Sequence, residues 1–89
     1  MYKIKVCLIC EKYQLGREYV TFHEALERQF DLTRYFADEK WPEEITEIEE
    51  YEKYDAFIWF VRFRELLKRP SFKWGNYKGV RIMHDQDAL

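Results

Sequence analysis

The 89-residue chain has little punctuation: three glycines, two prolines and two cysteines. So few breakers exclude a collagen-like or low-complexity chain, and the loops must be short or built from ordinary residues. Two cysteines cannot staple a small secreted scaffold, which needs several bridges. They also fall short of a zinc site. Cys7 and Cys10 form one C-x-x-C, and neither His23 nor His84 stands at a spacing that supplies a second pair of ligands. No metal site is therefore expected. No apolar run is long enough to span a bilayer. The opening MYKIKVCLIC is basic, then apolar, and runs into charged residues without a small-residue cleavage site, so it does not read as a secretory leader. These absences predict a cytoplasmic protein, at most peripheral to a membrane. An excess of one charge is missing too. The net charge of −2 gives no global attraction to nucleic acid or acidic lipid.

What the chain does have is aromatic mass and charge sorted by region. Aromatics make up 19% of the residues, enough rings to fill a small core and to leave some for a covered or shared surface. The length allows a single domain. Residues 38–55 hold nine acidic side chains against Lys40 and Lys53, and residues 62–81 hold seven basic ones against Glu65. The plain reading is two solvated faces of opposite sign. The sharper one is a basic groove for phosphates. Arg62, Arg64, Lys68, Arg69 and Lys73 are interleaved with Phe63, Phe72, Trp74 and Tyr77, a mixture that can stack bases. Amphipathic segments give the same mixture, and with a negative net charge nucleic acid is not the expected partner.

Patterning defines the architecture. Residues 3–10 begin in alternation and become continuously apolar, as in a central strand covered on both faces. On such a strand Cys7 and Cys10, three apart, point to opposite faces and are buried structural thiols. A polar loop follows, and residues 17–30 read as a helix with Tyr19, Phe22, His23, Leu26 and Phe30 on one face. Residues 31–36 read as a second strand. Trp41-Pro42-Glu43-Glu44 is a good helix start, with Ile45, Ile48 and Tyr51 as the apolar side. Residues 55–61 form a third strand, Phe63, Leu66 and Leu67 suggest a short helix ended by Pro70, and residues 79–84 form a fourth strand.

Strand alternating with helix predicts a single three-layer α/β domain, Rossmann- or flavodoxin-like, with a four-stranded parallel sheet in the order 2-1-3-4. Ligands of such sheets bind outside the carboxyl ends of the strands. Four pieces converge there: the loop 11–17, Arg62 and Arg64 after strand 3, His84 and Asp85 at the end of strand 4, and Ala37-Asp38. The loop has one glycine, so it is neither a dinucleotide fingerprint nor a P-loop. A phospho-receiver is excluded as well, because strand 3 ends Phe60-Val61-Arg62 where that family carries its phospho-accepting aspartate. His84, Asp85 and Asp87 have the chemistry of metal ligands, of an acid–base pair or of substrate hydrogen-bonders, or they are a polar terminus.

Three stretches resemble the N-terminal Rossmann-like half of bacterial GT-B glycosyltransferases of the family-4-like group. They are VCLIC followed by LGREYVTFHEALERQFDLTRYF, then YDAFIWFVRF, then YKGVRIMHDQDA. The resemblance implies acceptor-side or interdomain roles for Gly16, Arg17, Arg62, His84 and Asp85. It implies a nucleotide-sugar donor for the full enzyme, with no cofactor held by this chain. The family's donor-binding C-terminal domain has no counterpart in these residues, and the loop before Gly16 lacks the usual Gly-Gly pair. The expectation is an acceptor-side portion of a glycosyltransferase that is inactive alone, with the missing domain or an acceptor as partner. The alternative is a standalone interaction module that uses its aromatic excess and its basic segment to dimerise or dock on a partner, helped by an exposed edge of strand 4. A small nucleotide- or phosphate-binding protein using the loop 11–17 is a third expectation.

Overall fold

The structure, a computed structural model, describes residues 3–16, 19–62, 65, 68–69 and 71–83. Four strands form one parallel sheet: β1 (Lys5–Cys10), β2 (Asp31–Phe36), β3 (Ala56–Trp59) and β4 (Val80–Met83), in the order β2-β1-β3-β4. This is the expected order. The register aligns Leu8 with Arg34 and with Ile58, and Ile58 with Ile82. Partners in a parallel pair share a face, so Leu8, Arg34, Ile58 and Ile82 form one row across the sheet.

One helix, α1 (Val20–Gln29), follows a short 3₁₀ segment at Lys12–Gly16. It lies on the face of Val6, Leu8 and Cys10, and its His23 bonds to Arg34 of β2. Beneath it Val6, Leu8 and Cys10 are buried. The opposite face holds the aromatic core. Cys7, Ile9, Phe57 and Trp59 pack there with Ile45, Ile48 and Phe72, bordered by Trp41, Tyr51, Tyr54, Trp74 and Tyr77. Phe57 meets three of these rings edge-on, those of Tyr54, Trp74 and Tyr77, at centroid distances of 5.0–6.0 Å. Such contacts add to the burial of the rings themselves. Cys7 and Cys10 are both buried, and burial pushes each thiol up to about 12, so neither is a ready nucleophile.

The expected helix after Pro42 is not there. Residues 43–54 instead make two 3₁₀ turns, Ile45–Glu47 and Tyr51–Lys53, with Glu50 in the left-handed region between them. Two causes are visible. Ile45, Ile48, Tyr51 and Tyr54 recur every third residue, a spacing that three residues per turn keeps in one straight row. Backbone pairing also competes with a helix start: Ile45 donates to Lys73 O and Lys73 donates to Glu43 O, both at 2.9 Å. Between these two bonds Glu44 is held extended. Glu44 and Glu47 then cap the first turn reciprocally. Phe63, Leu66 and Leu67, the residues expected to form a short helix, lie outside the described residues.

Gly79 is needed where it sits. A Cβ there would collide with the Tyr77 phenol ring and come to 2.8 Å of Asp55 O. The Tyr77 hydroxyl donates to Tyr54 O at 2.8 Å, and Val80 N donates to Asp55 O, so glycine lets β4 enter the sheet beneath the tyrosine.

Candidate functional site

Two regions compete for the role of site. The first is the crevice at the carboxyl ends of β1 and β3, where sequence reasoning places a ligand. Three polar side chains are buried there, Glu11, Gln14 and His23. They form a directed chain. Arg34 Nε donates to His23 Nδ1 at 3.0 Å. This leaves His23 Nε2 as the protonated nitrogen, which donates to Gln14 Oε1 at 2.8 Å. Gln14 Nε2 then donates to Glu11 Oε1 at 3.1 Å and to Phe60 O at 2.9 Å. The backbone N–H of Arg62 donates to the same Glu11 oxygen. Arg34 is itself held by Glu27. Burial, and then the Arg34 guanidinium, lower the pKa of His23 from its ordinary 6.5, so the ring stays neutral at pH 7.

This chain ties the β1–α1 loop to the end of β3. Asp38, after β2, ties it from the other side, with both carboxylate oxygens accepting from Lys12 N at 3.1 Å. A phosphate-cradling loop presents such N–H groups to a ligand. Here that donor meets an acid of the chain itself, and the buried Glu11 occupies the turn. Buried polar groups bonded to one another in this way fix the conformation of the loop.

The positions expected to carry function fall out as follows. Arg62 is brought to this end: its Nε donates to the Tyr19 hydroxyl at 3.2 Å, and its guanidinium lies 5.8 Å from the centroids of both Tyr19 and Phe60. Gly16 ends the 3₁₀ segment in the same loop, and a Cβ there would meet nothing within 4 Å, so sterics do not demand glycine. Arg17, Arg64, His84 and Asp85 lie outside the described residues. Among the described residues no group of three His, Cys, Asp or Glu is placed to hold a metal. Among them also, no helix is long and apolar enough to cross a membrane. Gln14 and Glu11 were missed as structural residues. The signal for Glu11 was faint, a single acid directly after a fully apolar strand, and Gln14 gave none in a polar loop.

The second region is the outer part of the sheet on the α1 side. Exposure rises along the row from the centre: Leu8 is fully buried, Ile58 is half-buried, and Ile82 is 48% exposed. In the row beside it Ala56 is buried and Val80 is 58% exposed. Phe22 of α1 borders the strip, packs on Phe60 at 4.7 Å between centroids, and is itself exposed. No described element covers β3 and β4 on this side. Among the described residues β4 is also an edge strand, paired only with β3. Its two cations are Lys78, just before it, and Arg81, whose guanidinium sits over Trp74 on the opposite face.

The fold and these two regions define an α/β protein with a small, all-parallel sheet of doubly wound order. No protein-family model, no curated protein and no solved structure matches the chain.

Proposed function

We propose that this chain is a docking module, which works by receiving another polypeptide element at its β4 margin. The observation that carries the reading is the gradient on the α1 side, from fully buried Leu8 to exposed Ile82 on the same row. A parallel sheet is ordinarily covered on both faces. Bare aliphatic side chains beside an unpaired strand edge are the feature that a partner would cover. The strand-end crevice favours this reading by contrast, since its buried polar groups are satisfied internally. A direct test uses a dye that fluoresces on apolar protein surfaces. The native chain at pH 7 should enhance it, and Val80→Glu with Ile82→Glu should abolish the enhancement without changing the far-ultraviolet circular dichroism. A native chain that leaves the dye dark contradicts the reading.

A second reading is the acceptor-side portion of a GT-B glycosyltransferase, inactive alone. Its support is the order β2-β1-β3-β4 with the Gly16 loop and Arg62 at one end of the sheet. On this reading the β4 margin is where the rest of the domain would continue, and a C-terminal domain would hold the nucleotide-sugar. Sequencing the gene past codon 89 tests it. An open frame leading into a second α/β domain supports it. A stop codon, with a native protein of matching mass, removes it.

A further inference from the structure

We propose that the cleft between β2 and the segment 45–54 binds a ligand through a primary ammonium group, held by the Tyr35 hydroxyl and the Glu47 carboxylate; this site does not rest on the docking reading. The register builds one wall. Thr33 and Tyr35 of β2 align with Cys7 and Ile9 of β1, so they share the face of the aromatic core. Residues 47–50, where the first 3₁₀ turn gives way to the second, build the other wall. Between them lies a cleft of about 380 Å³, lined by Thr33, Tyr35, Lys40, Glu47, Glu49 and Tyr54 among others. Small-molecule sites begin at about 300 Å³.

One polar atom of this cleft is unanswered. The Tyr35 hydroxyl oxygen is buried and has no hydrogen-bond partner among the described residues. Folded proteins rarely leave such a group unmet. Burial, and then the charge of Glu47, raise the Tyr35 pKa, so at pH 7 the phenol is neutral and its oxygen can give one hydrogen bond and accept others. A second cleft, of about 400 Å³, supplies the contrast. It shares Tyr54 and is lined also by Tyr51, Asn76 and Tyr77. There the Tyr77 hydroxyl is already taken, donating to Tyr54 O at 2.8 Å.

Charge selects the ligand. Arg34, Lys40, Glu47, Glu49 and Glu50 line the cleft beside Tyr35. Two of them are engaged elsewhere: the Arg34 guanidinium bonds to His23 and Glu27 of α1, and Glu50 pairs with Lys53 at 2.7 Å. Glu47 accepts from the N–H of Glu44 through Oε2, which leaves Oε1. Two carboxylates, Glu47 and Glu49, therefore stand against the single ammonium of Lys40. An ammonium group can donate to Glu47 and to the Tyr35 oxygen together, and the phenol rings of Tyr35 and Tyr54 also attract cations. An anion would meet like charge at Glu47 and Glu49. A lone water would satisfy the hydroxyl, but it fills about 30 Å³ and leaves most of the cleft.

The test uses the full chain labelled with nitrogen-15, with putrescine as the probe and sodium acetate at equal ionic strength as the control. Putrescine should shift the amide signals of Thr33, Tyr35 and Ile48 to saturation and leave that of Ile82 in place. Acetate should move none of them. Glu47→Gln should weaken the binding by about fivefold, the worth of one exposed ion pair, and glutamine can still cap the first turn. Tyr35→Phe should weaken it by a similar factor without lowering the urea midpoint, because the hydroxyl it removes has no partner in the chain. A lysine blocked at both its amino and carboxyl ends separates two sources of the ammonium. Tighter binding of putrescine marks a free amine as the ligand, and tighter binding of the blocked lysine marks a side chain of a partner. Absence of a saturable shift with either amine would overturn the proposal, as would equal shifts with acetate. Binding that both substitutions leave unchanged would place the amine elsewhere and overturn it too.

Discussion

The carboxyl ends of β1 and β3 and the outer margin at β4 lie on one small sheet and are finished in opposite ways. At the strand ends, Arg34, His23, Gln14 and Glu11 hand hydrogen bonds along a line that closes on the backbone of Arg62 and Phe60. At the margin, Val80 and Ile82 stand in solvent on a face whose inner rows are buried. The contrast teaches that polarity alone does not mark a site. The described polar groups bond to one another, and the exposed aliphatic side chains stand at the margin.

The contrast can be broken or sharpened by substitution. The largest effect is expected in the aromatic core on the opposite face of the sheet. Phe57 is fully buried among three rings, and Phe57→Ala should cost about 3–5 kcal/mol in urea unfolding. A loss under about 1 kcal/mol would mean that the rings do not pack as one cluster. Next comes the closed network. Gln14→Leu leaves the His23 N–H, the Glu11 carboxyl group and Phe60 O without their shared partner, and should cost about 1–3 kcal/mol. A neutral substitution would show that the network does not hold the loop.

A smaller effect follows from pH. The folded state holds His23 below its ordinary 6.5, so as pH falls the unfolded chain takes up this proton first. The stability contributed by the neutral ring is complete above 6.5 and is lost progressively below it. Between pH 7 and pH 5 the native chain should therefore lose more stability than His23→Gln, compared in matched urea titrations. Equal losses would place His23 in a solvated setting. The smallest effect is expected at the margin, where Ile82→Thr should change stability by less than about 0.5 kcal/mol because the side chain packs on little. A loss comparable to that of Gln14→Leu would mean that Ile82 belongs to the core.

Much of this architecture is legible in the sequence. The second strand, residues 31–36, coincides with β2 at both ends, because Phe30 closes a helical face and Phe36 closes an extended run. The strand order follows from alternating elements and right-handed crossovers. The segment 43–54 was misread because Ile45, Ile48 and Tyr51 fit a helical and a 3₁₀ spacing alike, and the deciding partner, the backbone of Lys73, is distant in sequence. The closed crevice was illegible for a related reason. Glu11, Gln14 and His23 become a network only when the loop folds over the end of β3, and composition carries no record of that. The open margin was legible only as an edge strand. The run Gly79-Val80-Arg81-Ile82-Met83 reads the same whether its apolar side is covered or bare.

The most direct test of the central claim is photo-crosslinking in the cells that produce the protein, with a photoreactive residue placed at position 82 in one variant and at position 12 in another. The account predicts a discrete adduct from position 82, on the bare face of β4, and none from position 12, beside the closed crevice. An adduct from position 12 with none from position 82 would move function to the strand ends and contradict it.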